Sequence, residues 1–269
     1  MIVLQGVEMV LFTVMCAICA ITAVPAGVIH SGADVVTVEA MIETLQGVDI
    51  VFIGEKHDDS FAHEWELFIW EALASGERVL ALEMLETDVQ PLLDEYLAGE
   101  VSEDVFLEGA RPWGNYQSDY APMVDFAREN GFRVIAANVP RMYAAMVARG
   151  GFAAVLAEPG FEGMSVDSSN VFYKEMFLAT MDAIGDQMHG MPVAPENLYR
   201  AQLLKDAVMA RSILDNQVVF VCGSFHSDFH SGIPDQISSD SYLTVTVLAE
   251  GEEFSSDLAD FVIVRQDQQ

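Results

Sequence analysis

The chain has 269 residues, of which 52% are hydrophobic, so it can bury the core of one large α/β domain or two small ones. With 12 Lys and Arg against 42 Asp and Glu, the formal net charge is −30, which argues against nucleic acid and anionic lipid as partners. Such a surface is typical of a soluble protein kept apart by like charge, or of a saline or extracytoplasmic setting.

The N-terminus carries an uncharged apolar run over residues 9–24, followed by a Pro-Ala-Gly segment. Its length fits the hydrophobic region of a signal peptide better than a membrane span, and Ala26 offers a cleavage site. We therefore predict a signal peptide or N-terminal anchor over residues 1–26 and a single α/β domain over 35–269. The usual basic segment is missing, since no Lys or Arg precedes Lys56, and a buried N-terminal helix is the alternative.

Strand-like and helical patterns alternate along the rest of the chain. The predicted strands are 48–53, 78–84, 132–138 and 218–222, with two late ones, 242–247 and 261–264, whose short or alternating patterns are typical of edge strands. The predicted helices are 35–45, 61–74, 89–98, 102–108, 122–129, 170–188 and 195–214. The alternation predicts an α/β fold with a mostly parallel central sheet flanked by helices, and a helical insertion between the third and fourth core strands.

Two G-x-x-H segments directly follow predicted strands, Gly-Glu-Lys-His at 54–57 and Gly-Ser-Phe-His at 223–226. Because parallel strands end at one edge of the sheet, where open α/β sheets place ligands, both histidines are expected there. Glycine at the start of each segment permits a tight turn and a close backbone approach to a ligand.

All four core strands end in polar residues that a bare scaffold does not need. They are Glu55 and His57, then Glu83, then Asn138 with Arg141 close behind, then Ser224 and His226. Two histidines with a carboxylate commonly bind Zn²⁺ or Fe²⁺, so His57, Glu83 and His226 are candidate metal ligands. Glu55 is the candidate catalytic base that activates a metal-bound water. Each residue alone also fits a helix cap, a salt bridge or a turn; their joint occurrence predicts a site.

Other histidines and the tyrosines are open to two interpretations. His63 is expected on an exposed helix surface, and His189 ends a Met-lined helix, where a structural role is slightly ahead of a ligand role. Tyr, His and Met can all bind haem iron. The candidate tyrosines are Tyr116, Tyr120, Tyr143 and Tyr173, although a tyrosine in the core or at a rim is the simpler explanation for any one of them.

Five sequence blocks resemble, in order, those of the ChaN-like haem-binding lipoprotein family. The blocks are residues 53–59, 81–84, 120–128 with 135–141, Ala201-Gln202 with Asp206, Met209 and Ala210, and 223–226 with 232–234. Together they span nearly all of residues 38–237. The family lies in a superfamily with Tiki-type metal-dependent proteases and erythromycin-esterase-like enzymes, marked by two G-x-x-H motifs.

The resemblance implies haem as cofactor, haem or iron uptake outside the cytoplasm, and an exported protein that is periplasmic or membrane-anchored. It further implies tyrosine ligation of haem iron, a haem-linked homodimer and a membrane or outer-membrane uptake partner. On this interpretation Tyr120 and Tyr173 are the expected ligands. The assisting residues are expected to be His57, His189, His226 and Asn138, with Arg141 and Lys56 pairing the propionates. A metal-dependent hydrolase using a divalent ion, or a non-catalytic remnant, is the alternative.

Overall fold

A computed structural model describes residues 23–183, 193–239 and 241–266. Most of the predicted leader and His189 lie outside these described residues. The described strands are β1 (Val28–Ser31), β2 (Asp34–Val36), β3 (Ile50–Glu55), β4 (Arg78–Glu86), β5 (Val134–Asn138), β6 (Gln217–Gly223), β7 (Tyr242–Val247) and β8 (Phe261–Val264).

These strands form one eight-stranded sheet in the order β2-β1-β8-β7-β3-β6-β4-β5. Every neighbouring pair from β8 to β5 is parallel, and β1 is antiparallel to both β8 and β2. The prediction of a mostly parallel central sheet is therefore confirmed. Strands β3 and β6 lie side by side near the middle, so the two G-x-x-H segments leave the sheet next to each other.

Two details of the predicted elements are wrong, one about the strands and one about a helix. The late strands β7 and β8 are interior, and β2 and β5 form the edges. The helix predicted over 35–45 begins later, because Val35 and Val36 belong to β2, and Thr37 caps the helix by accepting a hydrogen bond from the Ala40 amide (3.2 Å). Strands as short as β1 and β2 carry too little alternation to be recognised in sequence.

Helices cover both faces of the sheet. They are α1 (Val38–Gln46), α2 (Ser60–Leu73), α3 (Gln90–Leu97), α4 (Glu103–Ala110), α5 (Tyr116–Asp119), α6 (Ala121–Asn130), α7 (Arg141–Gly150), α8 (Val171–Ala183), α9 (Pro195–Ser212) and α10 (Ile233–Gln236). Helices α7, α8 and α9 lie between β5 and β6, which confirms the helical insertion. None of the described helices is long and apolar enough to cross a membrane.

The sheet is buried on both faces because its strands present apolar side chains alternately to two helical layers. In β3, Val51 and Ile53 pack into the core shared with α2, whereas Ile50 and Phe52 pack into the core that contains Met209 of α9. The central strands are therefore held rigidly, and so are the polar residues at their ends.

The turn from β3 into α2 is short and capped. The Asp59 side chain accepts a hydrogen bond from the Phe61 amide (3.1 Å) and so begins α2. Arg265 contacts the same carboxylate. This turn brings the first two turns of α2, which carry His63 and Glu66, close to the end of β3.

Candidate ligand site at the carboxyl edge of the sheet

The two G-x-x-H segments pack directly against each other through their glycines. A Cβ added to Gly54 would lie 2.9 Å from Ser224 Cα, and a Cβ added to Gly223 would lie 2.8 Å from His57 Cε1. Gly223 has φ −56°, which any residue adopts. Glycine is therefore required here for the close approach of one motif to the other, and not for an unusual backbone conformation.

Glu55 orients the histidine of the first motif. Its buried Oε1 accepts hydrogen bonds from the Tyr120 hydroxyl (2.7 Å) and from His57 Nδ1 (2.8 Å). The His57 side chain is 40% exposed and packs edge-on against Trp113, with ring centroids 4.5 Å apart. The Asn115 amide donates to the His57 carbonyl (2.6 Å), which fixes the turn. With Nδ1 bound to Glu55, the other ring nitrogen, Nε2, is free to bind a ligand.

Asp206 and Glu83 hold the histidine of the second motif. His226 Nδ1 contacts Asp206 Oδ1, and His226 Nε2 lies 3.2 Å from Glu83 Oε1. Asp206 Oδ2 also accepts a hydrogen bond from the Tyr173 hydroxyl (2.9 Å). All of these side chains are buried. His226 is therefore clamped between two carboxylates, which is the arrangement of a protonated imidazole.

The electrostatics agree with a charged His226. Burial alone would raise the pKa of Glu83, but the attraction and hydrogen bond of His226 outweigh it and lower the pKa to about 2. Burial alone would lower the pKa of His226, but Glu83 and then Asp206 raise it to about 9. Glu83 and His226 thus form a buried ion pair at neutral pH.

Two of the three candidate metal ligands, His57 and Glu83, lie next to Gly223, and their role as metal ligands with His226 stays a prediction. Glu83 Oε2 accepts a hydrogen bond from the Gly223 amide (2.9 Å). A Cβ on Gly223 would lie 2.9 Å from His57 Nε2 and 3.6 Å from Glu83 Oε2, so both of these ligand atoms lie close to Gly223. His226 reaches Glu83 from the other side. Each histidine has its Nδ1 against a buried carboxylate, as metal-binding histidines commonly do.

His63 is not on the helix surface, so that prediction is wrong. It is 8% exposed and faces inward from α2. Its Nδ1 lies 3.1 Å from both Glu55 Oε2 and Glu66 Oε2, and its Nε2 lies 3.3 Å from Asp119 Oδ2. The sequence contains a signal for this arrangement, since His63 and Glu66 are spaced i, i+3 within a helix whose other faces are largely apolar.

The protonation states of His63 and Glu66 depend on each other. Burial lowers the pKa of His63, but the hydrogen bond and attraction of Glu66, with Glu55 and Asp119, raise it to about 9. Burial and then repulsion from Glu55 raise the pKa of Glu66 to about 8, against the opposing effect of His63. Both groups therefore hold protons more tightly in the folded chain than in the unfolded one.

A cavity of about 540 Å³ opens at this edge of the sheet, and Trp113, whose ring packs against His57, lines it, although His57 itself does not. The cavity is lined by Glu86, Pro112, Trp113, Gly114, Asn138, Val139, Arg141, Ala144 and Lys205. Asn138 and Arg141 were expected at this edge, whereas no role was expected for Trp113 or Lys205. Arg141 is 73% exposed and pairs with Glu86 (Nε to Oε1, 2.9 Å). Lys56 lies elsewhere and pairs with Glu252 (3.1 Å).

One buried polar atom at this cavity has no partner. Asn138 Oδ1 is buried at the end of β5 and accepts no hydrogen bond. Buried amide groups are almost always hydrogen-bonded in folded proteins. A polar ligand group in the cavity would supply the missing partner.

The two expected haem tyrosines are both fully buried. The Tyr120 hydroxyl donates to Glu55, and the Tyr173 hydroxyl donates to Asp206. Burial, and then the neighbouring carboxylate, raises the pKa of each hydroxyl above its ordinary value. Neither tyrosine lines the cavity, and their role as ligands stays a prediction.

Comparison with known proteins shows to which family the chain belongs. A family described as haem-binding uptake, Tiki superfamily, ChaN, matches residues 41–237. The chain belongs to the ChaN family. This membership confirms the resemblance seen in the sequence blocks and supports haem as the cofactor of this ChaN-family chain. No curated protein sequence matches the chain significantly.

A solved structure of a ChaN protein shows the same fold. The chain is similar to ChaN of Campylobacter jejuni, a structure described by its cofacial haem binding, with a TM-score of 0.73 and 21% identity over 88% of this chain and 96% of that one. The type III effector HopBA1 is more distant, with a TM-score of 0.45 and 13% identity over 85% and 92% of the two chains. The effector domain RRSP of Vibrio vulnificus has a TM-score of 0.45 and 17% identity over 86% and 40%.

We predict that Gly54→Ala destabilises the fold by pushing the two motifs apart. The new methyl group would lie 2.9 Å from the backbone Cα of Ser224, and overpacking of this kind costs about 1–3 kcal/mol. Chemical unfolding measures the loss. Gly76→Ala is the matched control, because nothing lies within 4 Å of its added Cβ, and its stability is expected to change by less than about 0.5 kcal/mol. Equal stabilities of the two variants would contradict the close approach of the motifs.

We predict that the stability of the metal-free protein falls as the pH rises from about 5 to 9. The pKa of Glu66 rises on folding from 4.5 to about 8, and that of His63 from 6.5 to about 9. Tighter proton binding in the folded state stabilises it at low pH, and that stabilisation is lost through these windows.

The variant Glu66→Gln isolates this effect. It removes one titration and lowers the pKa of His63, so the free energy of unfolding, measured at pH 5, 7 and 9 with a chelator present, is expected to vary less than in the wild type. The interpretation is wrong if both proteins lose stability equally over this range.

Proposed function

We propose that this protein is exported and takes part in haem or iron uptake, binding haem in the cavity at the carboxyl edge of the sheet. The observation that carries the proposal is His57, a partly exposed imidazole that Glu55 orients and that packs against Trp113, a residue of the cavity lining. Its Nε2 is a ligand atom that haem iron accepts. The cavity volume lies within the range of about 300–1,000 Å³ that small-ligand pockets occupy.

The lining residues fit the rest of a haem group. Trp113 offers a flat apolar face, and Arg141 and Lys205 are cations that can pair with the two propionates. These cations matter more than usual, since only 12 Lys and Arg are present in a chain of net charge −30. The unpartnered Asn138 Oδ1 is an acceptor, so it would contact a protonated propionate and not an ionised one.

We assign the iron ligand to His57 before the tyrosines. Tyr120 and Tyr173 are fully buried, whereas the His57 side chain is partly exposed, and each tyrosine would have to leave a hydrogen bond to a buried carboxylate. His226 would have to break its ion pair with Glu83. His57 needs no such rearrangement, because its hydrogen bond to Glu55 uses Nδ1 and leaves Nε2 for the iron.

Export and assembly belong to the same proposal. The apolar run over residues 9–24 supports a leader or membrane anchor, and the family description supports uptake, which requires a membrane or outer-membrane partner. A homodimer with haem between its two copies is supported by the cofacial haem described for the Campylobacter protein of the same fold.

The alternative of a metal-dependent hydrolase is not favoured. His57, Glu83 and His226 do not all bring a ligand atom within 4.8 Å of one another, and both ring nitrogens of His226 face carboxylates. Glu55, the expected catalytic base, is buried and already accepts from Tyr120 and His57. A general base has to reach a water molecule, and Glu55 would reach one only by giving up the bonds that orient His57.

We predict that haemin added to the purified protein produces a shifted Soret band, and that His57→Ala weakens haem binding by about 10-fold or more. His230→Ala, which removes an exposed imidazole elsewhere, is the matched control and is expected to bind as the wild type does. Titration followed at the Soret maximum measures both affinities.

Two outcomes of this titration contradict the proposal. If the wild type shows no Soret shift, the protein does not bind haem. If His57→Ala binds normally while Tyr120→Phe or Tyr173→Phe loses the band, haem is bound but a tyrosine is the ligand.

A further inference from the structure

A second group of ligand atoms lies behind the edge cavity, between the end of β3 and α2. Glu55, His63 and Glu66 each place one ligand atom within 4.8 Å of the others, and all three side chains are buried. None of them lines the cavity assigned to haem. We refer to these three residues as the inner cluster.

The inner cluster places two buried carboxyl groups beside one imidazole. Glu55 is 1% exposed and Glu66 is fully buried. Within the described part of the chain, their ion pairs are made by histidines and none by Lys or Arg. One imidazolium balances one carboxylate, so the second carboxyl group needs either a proton or a further cation.

Two carboxylate oxygens in the inner cluster lack hydrogen-bond partners. They are Glu55 Oε2 and Glu66 Oε1, both buried. Glu55 Oε2 lies only 3.1 Å from His63 Nδ1, but without the geometry of a hydrogen bond, and therefore points into the cluster. Unsatisfied buried oxygens of this kind are rare in folded proteins and suggest a missing ligand.

His63 is oriented as a metal ligand is. Its Nε2 faces Asp119 Oδ2 at 3.3 Å, while its Nδ1 faces both carboxylates of the cluster. Asp119 is itself held by the Asn115 amide at 2.7 Å. His63 Nε2 makes no hydrogen bond, although Asp119 is near enough to accept one after a small adjustment. A metal-bound histidine commonly gives its second ring N–H to a carboxylate, which fixes the tautomer and the ring.

We propose that Glu55, His63 and Glu66 bind a divalent first-row transition-metal ion, with Asp119 as the residue that positions His63. One imidazole and two carboxylates suit Mn²⁺, Fe²⁺ or Zn²⁺. Ligand atoms about 2.1 Å from an ion lie roughly 3 to 4 Å apart, so a small contraction of the cluster completes the site. Binding through Nδ1 displaces the proton that otherwise lies between His63 and the carboxylates.

The site would be joined to the edge cavity through one residue. Glu55 Oε2 faces the inner cluster, whereas Glu55 Oε1 holds His57 and Tyr120. An ion in the inner cluster therefore fixes the carboxylate that orients His57. This role does not depend on whether haem is the ligand at the cavity.

Metal binding to the full chain tests the proposal, with Mn²⁺ as the probe after treatment with a chelator. Calorimetry is expected to show one Mn²⁺ per chain in the wild type and at least about 10-fold weaker binding in Glu66→Gln. Glu64→Gln is the matched control, since it removes the same charge from an exposed position of the same helix and is expected to bind like the wild type. Circular dichroism verifies that each variant is folded.

The location of the ion decides between this site and the edge. Anomalous scattering from a wild-type crystal soaked in Mn²⁺ is expected to show a peak between Glu55, His63 and Glu66, a result that needs no variant to fold. A peak between His57, Glu83 and His226, normal binding by Glu66→Gln, or no Mn²⁺ bound by the wild type would overturn the proposal.

Discussion

The close packing of two strand-end glycines is the constraint on which the site depends. Gly54 and Gly223 end neighbouring parallel strands, and an added Cβ on either would enter the space of the other motif. Because both positions lack a side chain, the turns that follow pack together and bring His57 beside Glu83. The same contact explains why each motif begins with glycine although Gly223 has an ordinary backbone conformation. A bulkier residue at either position would separate the two histidines and the carboxylates that orient them.

Buried carboxylates fix the positions of the buried histidines of the site. Each of these histidines contacts at least two carboxylates. Glu83 and Asp206 hold His226, and Glu55 with Glu66 holds His63. Mutual pairing offsets the large cost of burying these charges, and it also shifts their pKa values far from the ordinary ones. Rigid helices and strands carry the charged groups, so the ligand atom of His57 is presented in a fixed orientation to the cavity.

The sequence patterns predict the parallel sheet, its helical insertion and the edge at which polar residues converge, since strand ends and G-x-x-H turns are local features. They do not predict which carboxylate meets which histidine. Asp206 lies in a helix far from His226 in sequence, and His63 looks like any polar residue on a helix until the buried faces of α2 are known. Trp113 and Lys205 were missed for the same reason, because a cavity lining depends on long-range packing. Short strands such as β1 are fixed by their neighbours rather than by their own pattern.

We propose that haem lies in the edge cavity with its iron on His57. The crystal structure of the complex with haemin tests this assignment most directly. We expect iron bonded to His57 Nε2, the ring against Trp113, and propionates directed to Arg141 and Lys205. Iron bonded to a tyrosine, or haem located away from this cavity, would contradict it.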